Sequence, residues 1–204
     1  PVFGRSALKF IQTLPLIESG AADAFHLGGE EIALSCASHH GEDMHIRALE
    51  IWLKKLGKDE RILECGVHCP LHRAFAKKEP SFHEKTSALH NQCSGKHLGF
   101  VTTALHRNEP VQGYIKKDHP VQRRVEQALG EMVGVDLSHV PHGTDGCGIP
   151  AFAIPLYNIA LGIARFADSS HLHFPRQQAI HQILTAVAAH PEMISGSAGF
   201  DTKL

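Results

Sequence analysis

The sequence predicts a helix-rich globular fold whose sheet is either weakly signalled or contributed by chain outside these 204 residues. Apolar residues recur every three or four positions through several segments of helix length. Glycine and proline punctuate the ends of those segments, and few runs alternate apolar and polar residues in the manner of a strand. Composition agrees: 43% apolar and 20% charged residues, with no low-complexity run or internal repeat, describe an ordinary folded chain.

In chain order, Ser6-Ala7-Leu8-Lys9-Phe10-Ile11 opens a helix that runs towards Leu14, is disturbed at Pro15 and ends its continuation at Gly20. That spacing puts Ser6 and Lys9 on one face. A short helix from Glu30 to Ala37 breaks at Ser38-His39-His40-Gly41, a turn suited to exposing a hydroxyl. The clearest helix is Asp43 to Leu56, where Ile46, Leu49, Leu53 and Leu56 form one apolar stripe and Gly57 terminates it. From Lys58 to Ala88 the pattern predicts loops, with at most a short helix from His72 to Lys78.

Leu98, Val101 and Leu105 then mark an amphipathic helix with the polar cluster Cys93-Ser94-Gly95-Lys96-His97 at its N-terminal end. Asp118 is expected to cap Pro120 to Met132, with Val121, Val125, Ala128 and Met132 inward and Gly134 closing the helix. Gly143-Thr144-Asp145-Gly146-Cys147-Gly148-Ile149-Pro150 reads as a tight loop whose backbone can approach a ligand closely. Helices from Pro155 to Phe166 and from Arg176 to Ala189 complete the pattern.

A formal charge of -1 offers no basic footprint for nucleic acid and no patch to steer the chain to a membrane. No apolar run is long enough to span a bilayer. Five cysteines, an odd number, follow no secretory leader and predict a reducing, cytoplasmic setting. The opening at Pro1 and the close at Phe200-Asp201-Thr202-Lys203-Leu204 read as those of a fragment or a processed product.

Two motifs carry chemistry. In Ser6-x-x-Lys9 a lysine amine one turn from a serine hydroxyl can take its proton and make it a nucleophile, provided the lysine is neutral. Burial or a neighbouring cation, with Arg5 the adjacent candidate, would lower the Lys9 pKa; a solvated helix end is the plainer reading. Cys93 and Cys147 each sit in a polar, glycine-rich turn, and two thiolates with one nitrogen would hold zinc and leave a fourth position open. Two unrelated thiols or a disulfide are the rival readings. Cys65-x-x-x-Cys69 has spacing one residue longer than the commonest zinc knuckle and is read as structural.

Taken together, Arg5-Ser6-Ala7-x-Lys9, Cys36-Ala37-Ser38-His39-x-Gly41-Glu42, Leu89-His90-Asn91-x-Cys93-Ser94-Gly95-Lys96-His97, Asp118-His119-Pro120-Val121-Gln122 and Asp145-Gly146-Cys147-Gly148 resemble, in order and spacing, the bacterial asparaginase II family, also called class 3 L-asparaginases. The resemblance covers essentially the whole chain as one domain, residues 1–204. It implies an α/β fold of the serine β-lactamase-like or glutaminase-like kind, with part of the sheet and a C-terminal segment missing from this chain. It also implies hydrolysis of L-asparagine to L-aspartate and ammonia, with L-asparagine the partner molecule; an incomplete sheet would leave an exposed edge prone to pairing with a second copy as a homodimer.

Carried over residue by residue, Ser6 matches the nucleophile, Lys9 its base and Ser38 the second serine of a paired Ser-Lys arrangement. Cys93, Lys96 and Cys147 match the residues that hold a zinc ion. Arg5 and Asp145 are the implied substrate-positioning residues. Family members carry an N-terminal segment of sheet strands and, beyond the point where this chain stops, a Lys-Gly-Gly block whose lysine partners the second serine. Cys69 stands where an aromatic residue is more usual. The expectation is therefore a truncated family member. A remnant that keeps the zinc and amino-acid site, or a serine-lysine amidase acting on glutamine or another amide, are the alternatives.

Overall fold

The computed structural model describes residues 1–68 and 86–203. The expected helix from His72 to Lys78, and Cys69, lie outside these residues. Helices dominate the rest. A 3-10 turn, Arg5–Leu8, leads into α1 (Lys9–Glu18), followed by α2 (Ala21–Ala24), α3 (Gly29–Cys36) and α4 (Asp43–Leu56). Next come α5 (Ser94–His106), α6 (Pro120–Val133), α7 (Leu156–Ala167), α8 (Phe174–Ala189), α9 (Pro191–Ser195) and α10 (Phe200–Lys203).

Most of these elements form where the periodicity puts them, and their ends have local causes. Gly57 and Gly134 close α4 and α6 with φ of 61° and 68°, a left-handed conformation open to glycine at little steric penalty. Three expectations need correcting. The first helix runs straight through Pro15, because burial of Ile11, Leu14 and Leu16 along it outweighs one missing backbone hydrogen bond. Its start, at Ser6, is 3-10 rather than α. The cap of α6 is His119, whose Nδ1 accepts the Val121 N–H at 3.2 Å, and not Asp118.

Helix α5 is not a half-exposed amphipathic helix either. Every residue from Ser94 to Ala104 is buried, and α1, α2, α3, α4 and α6 all pack against it. Glycine makes that approach possible: a Cβ at position 95 would collide with the Leu34 carbonyl of α3. The threonines inside it are satisfied. Thr102 Oγ1 donates to the Leu98 carbonyl at 2.7 Å and accepts the Trp52 indole N–H at 3.0 Å.

Among the described residues the sheet has three antiparallel strands in the order β1-β3-β2: β1 (Val2–Phe3), β2 (His142–Thr144) and β3 (Pro150–Ile154). Val2 faces Ile154 and His142 faces Phe152. The glycine-rich segment is thus the turn of a β2–β3 hairpin. It is closed by the Asp145 N–H on the Ile149 carbonyl at 2.8 Å, with Gly148 at φ 92°. The architecture is helix-rich with a small antiparallel sheet, consistent with an α/β class.

Among the described residues apolar packing forms two clusters. One gathers Trp52, Leu49, Leu98, Val101 and Tyr114 around α4 and α5; the other gathers Ile11, Leu14, Met132, Ile154 and Ile183 around α1, α6, α8 and β3. Buried Arg176 of α8 pins the second cluster through ion pairs with Glu18 and, at 3.1 Å, Glu131. No helix among the described residues is long and apolar enough to cross a membrane.

Candidate active site

The site forms where the start of α1, the turn after α3, the start of α5 and the hairpin turn converge. Arg5 adopts φ 46°, unusual for a residue with a side chain, at the point where β1 gives way to the 3-10 turn. Ser6 follows, exposed, and Lys9 lies one turn later with only 1% of its surface exposed.

The Lys9 amine donates to the Ala37 carbonyl and to Ser38 Oγ at 2.9 Å. The Ser38 hydroxyl donates to Ser6 Oγ at 3.0 Å. Lysine therefore reaches the exposed serine through the second serine, in a chain of two hydrogen bonds. Burial lowers the Lys9 pKa, with Lys96 adding in the same direction and Cys93 opposing. The neighbouring cation is thus Lys96; Arg5 instead extends to Asp145 Oδ1 at 3.4 Å.

The thiols lie on the other side of Lys9. Cys93 is the N-cap residue of α5, and its N–H donates to Asn91 Oδ1 at 2.9 Å. Asn91 Nδ2 donates in turn to the Cys65 carbonyl at 2.9 Å, which ties this loop down. A hydrogen bond from Cys147 pulls the Cys93 thiol down to about 5 against its burial, helped by Lys96 and Lys9. The same bond and burial push the Cys147 thiol up. The two thiols therefore titrate as a pair, sharing one proton between their sulfurs. Lys96, 2% exposed, donates to Cys147 Sγ at 3.2 Å.

The structure thus brings Ser6, Lys9, Ser38, Cys93, Lys96 and Cys147 into one cluster. Arg5 and Asp145 form a separate pair at its rim, beside a cavity of about 450 Å³ lined also by Phe3, Thr144 and Ala151. Cys36, Cys65, Cys93 and Cys147 are unbridged. Among the described residues no three His, Cys, Asp or Glu side chains converge as metal ligands, so a three-ligand site at the thiols needs the Lys96 nitrogen. The donor chemistry fits zinc to that extent: a low-pKa thiolate, a second sulfur and an amine meet in a buried pocket.

Histidines outside the cluster divide in two. His171 is exposed, and His173 accepts the Arg176 N–H at 3.3 Å as the cap of α8. His39 and His45 are buried and stacked, their rings 5.1 Å apart. His97, next to Lys96 in the polar cluster, is given no role by the sequence. Its Nδ1 meets the Tyr114 hydroxyl at 2.7 Å, while its buried Nε2 has no hydrogen-bond partner among the described residues. An imidazole inside a helix at the reactive cluster was the available sequence signal.

A search of curated proteins finds no match to the chain. The sequence profile of the L-asparaginase II family matches residues 1–204, from the Ser6 turn through the hairpin thiol to the last helix, and the chain belongs to that family.

Proposed function

We propose that the chain hydrolyses L-asparagine to L-aspartate and ammonia through an ester on Ser6. The observation that carries this reading is the Lys9–Ser38–Ser6 chain of hydrogen bonds, with the amine buried and the terminal hydroxyl exposed. Family membership supports an asparagine amidohydrolase. With the two hydroxyls turned so that Ser6 donates to Ser38 and Ser38 to a neutral Lys9 across the same 3.0 and 2.9 Å contacts, the amine takes the Ser38 proton while Ser38 takes that of Ser6. Ser6 Oγ then attacks the side-chain carboxamide carbon. The proton returns along the same chain to the departing nitrogen, which leaves as ammonia. Water, deprotonated by the same route, attacks the β-aspartyl ester, releases aspartate and restores the Ser6 hydroxyl.

At the rim, Arg5 would take the substrate's α-carboxylate and Asp145 its α-ammonium, the two ends of an amino acid replacing their mutual ion pair. Cys93, Cys147 and Lys96 would hold a zinc ion, which when bound supplies positive charge for the amino acid's polar groups. The small antiparallel sheet beside helices, with Ser-x-x-Lys at a helix start, is compatible with a serine β-lactamase-like fold. Unbridged buried thiols favour a cytoplasmic setting. Exposed Val2 and Phe3 on edge strand β1 favour pairing with a second copy.

The test is ammonia release from L-asparagine by the purified chain, with L-glutamine in parallel and Ser6→Ala beside both. Turnover by the chain and none by Ser6→Ala is the expected result. Equal turnover by the two proteins overturns the assignment of Ser6. Preference for glutamine redirects the substrate, and asparagine binding without turnover leaves a binding protein.

A further inference from the structure

His39 is wholly buried beneath the turn that carries Ser38, and the proton relay described above makes no use of it. Its Nδ1 accepts the Gly41 N–H at 3.1 Å, so the ring proton resides on Nε2. Nε2 stands 2.8 Å from Ser94 Oγ and donates to it. The Ser94 hydroxyl spends its own proton on the Leu89 carbonyl at 3.0 Å, leaving its oxygen to face the imidazole as an acceptor. Donor and acceptor roles are thereby assigned along the whole chain. Burial also disfavours the charged ring, with His45 and Lys9 acting in the same sense.

Its place in the chain makes this bond consequential. His39 immediately follows Ser38, and Ser94 immediately follows Cys93. One buried hydrogen bond across 55 positions therefore joins the turn holding the relay hydroxyl to the helix start holding the thiolate. Lys9, which contacts Ser38 directly, lies within the field of Cys93 on the other side. A shift of the Ser38 turn relative to α5 would lengthen the Lys9–Ser38 or the Ser38–Ser6 hydrogen bond, and both must be short for proton transfer.

We infer that His39 is a positioning residue: its Nε2–H bond to Ser94 holds the Ser38 turn at the distance from the Cys93 helix start that the Ser6 relay requires. The kinetic consequence rests on the amidohydrolase reading; the placement itself does not.

Three variants test it. His39→Gln keeps an N–H near the Nε2 position, His39→Asn is too short to reach Ser94, and Ser94→Ala removes the acceptor. His39→Asn and Ser94→Ala are expected to lower kcat on L-asparagine about 10- to 100-fold with KM changed less than about twofold. His39→Gln should stay within about threefold of the parent, and the double variant His39→Asn/Ser94→Ala should fall no further than the singles. A second readout needs no turnover: iodoacetamide alkylation of Cys93, followed by peptide mass, should run about tenfold faster in His39→Asn and Ser94→Ala but not in His39→Gln.

Parental kcat in Ser94→Ala, or a His39→Gln variant as slow as His39→Asn at matched Tm, overturns the inference. If the parent releases no ammonia, the amidohydrolase reading falls and alkylation alone decides. Unchanged alkylation in Ser94→Ala then overturns the role of His39 as well. Should His39→Asn fail to fold, Ser94→Ala carries the same comparison.

Discussion

The serine end and the thiol end of the site share a lysine, yet burial acts on them in opposite ways. At the serine end, burial of Lys9 favours its neutral form, and the hydroxyl it serves stays exposed at the rim. At the thiol end, a position that is also buried holds a charge, because a hydrogen bond from Cys147, the charge of Lys96 and a hydrogen bond from Lys9 outweigh desolvation at Cys93. Burial alone does not choose a protonation state. The count of donors aimed at the charged form does, and a base and a thiolate can therefore adjoin each other in one pocket.

Removing the shared group breaks both ends at once. Lys9→Met is expected to lower kcat on L-asparagine by more than about a thousandfold, the loss of a base and its relay together. It should also raise the pKa of Cys93, since Lys9 lowers it in the parent. Alkylation rate against pH reads that shift, and a Cys93 profile unmoved by Lys9→Met would separate the two ends as independent sites. In the parent, a neutral Lys9 is the active form, so kcat/KM should rise with pH through a limb below the ordinary lysine range.

Cys147→Ala acts on the thiol end. Loss of its hydrogen bond should move Cys93 titration upward, and zinc affinity should fall by about a hundredfold or more with one sulfur gone. The serine relay has no bond to Cys147, so reaction of Ser6 with an activated ester should continue in the variant. Its disappearance would show that the ends work as one unit.

Gly95→Ala is the smallest expected effect and tests the frame that holds the ends together. The added methyl meets the Leu34 carbonyl where α3 and α5 touch, and overpacking of that kind destabilises by about 1–3 kcal/mol. Urea unfolding measures it. A variant as stable as the parent would mean that the two helices separate easily, and the geometry joining Ser38 to Cys93 would lose its main support.

Much of this was legible in the residues. Helix α4 stands at Asp43–Leu56, where the stripe from Ile46 to Leu56 and the stop at Gly57 put it, because a helix buried on one face announces its period. The sheet was not legible. Its strands are two, three and five residues long, too short for alternation to register, and β1 pairs with β3 about 150 positions away. Helix α5 showed its apolar stripe but not its total burial, since Thr102 and Thr103 look solvent-facing until their i−4 carbonyl bonds are seen. The site residues came from motif and family resemblance; His97 and His39 lie inside the same motifs, but their partners, Tyr114 and Ser94, are distant in the chain and no local pattern marks them.

By itself the sequence determined what is local: the helix periods, the glycines that end them, Ser6 and Lys9 one turn apart, and a thiol at the start of a helix. Each of these depends on residues within a few positions of one another. Only the tertiary structure decided that Lys9 reaches Ser6 through Ser38, that Lys96 and not Arg5 is the cation beside it, and that Cys93 and Cys147 titrate as one pair. Those outcomes depend on distance and desolvation between segments far apart in the chain, and both quantities exist only once the chain has packed.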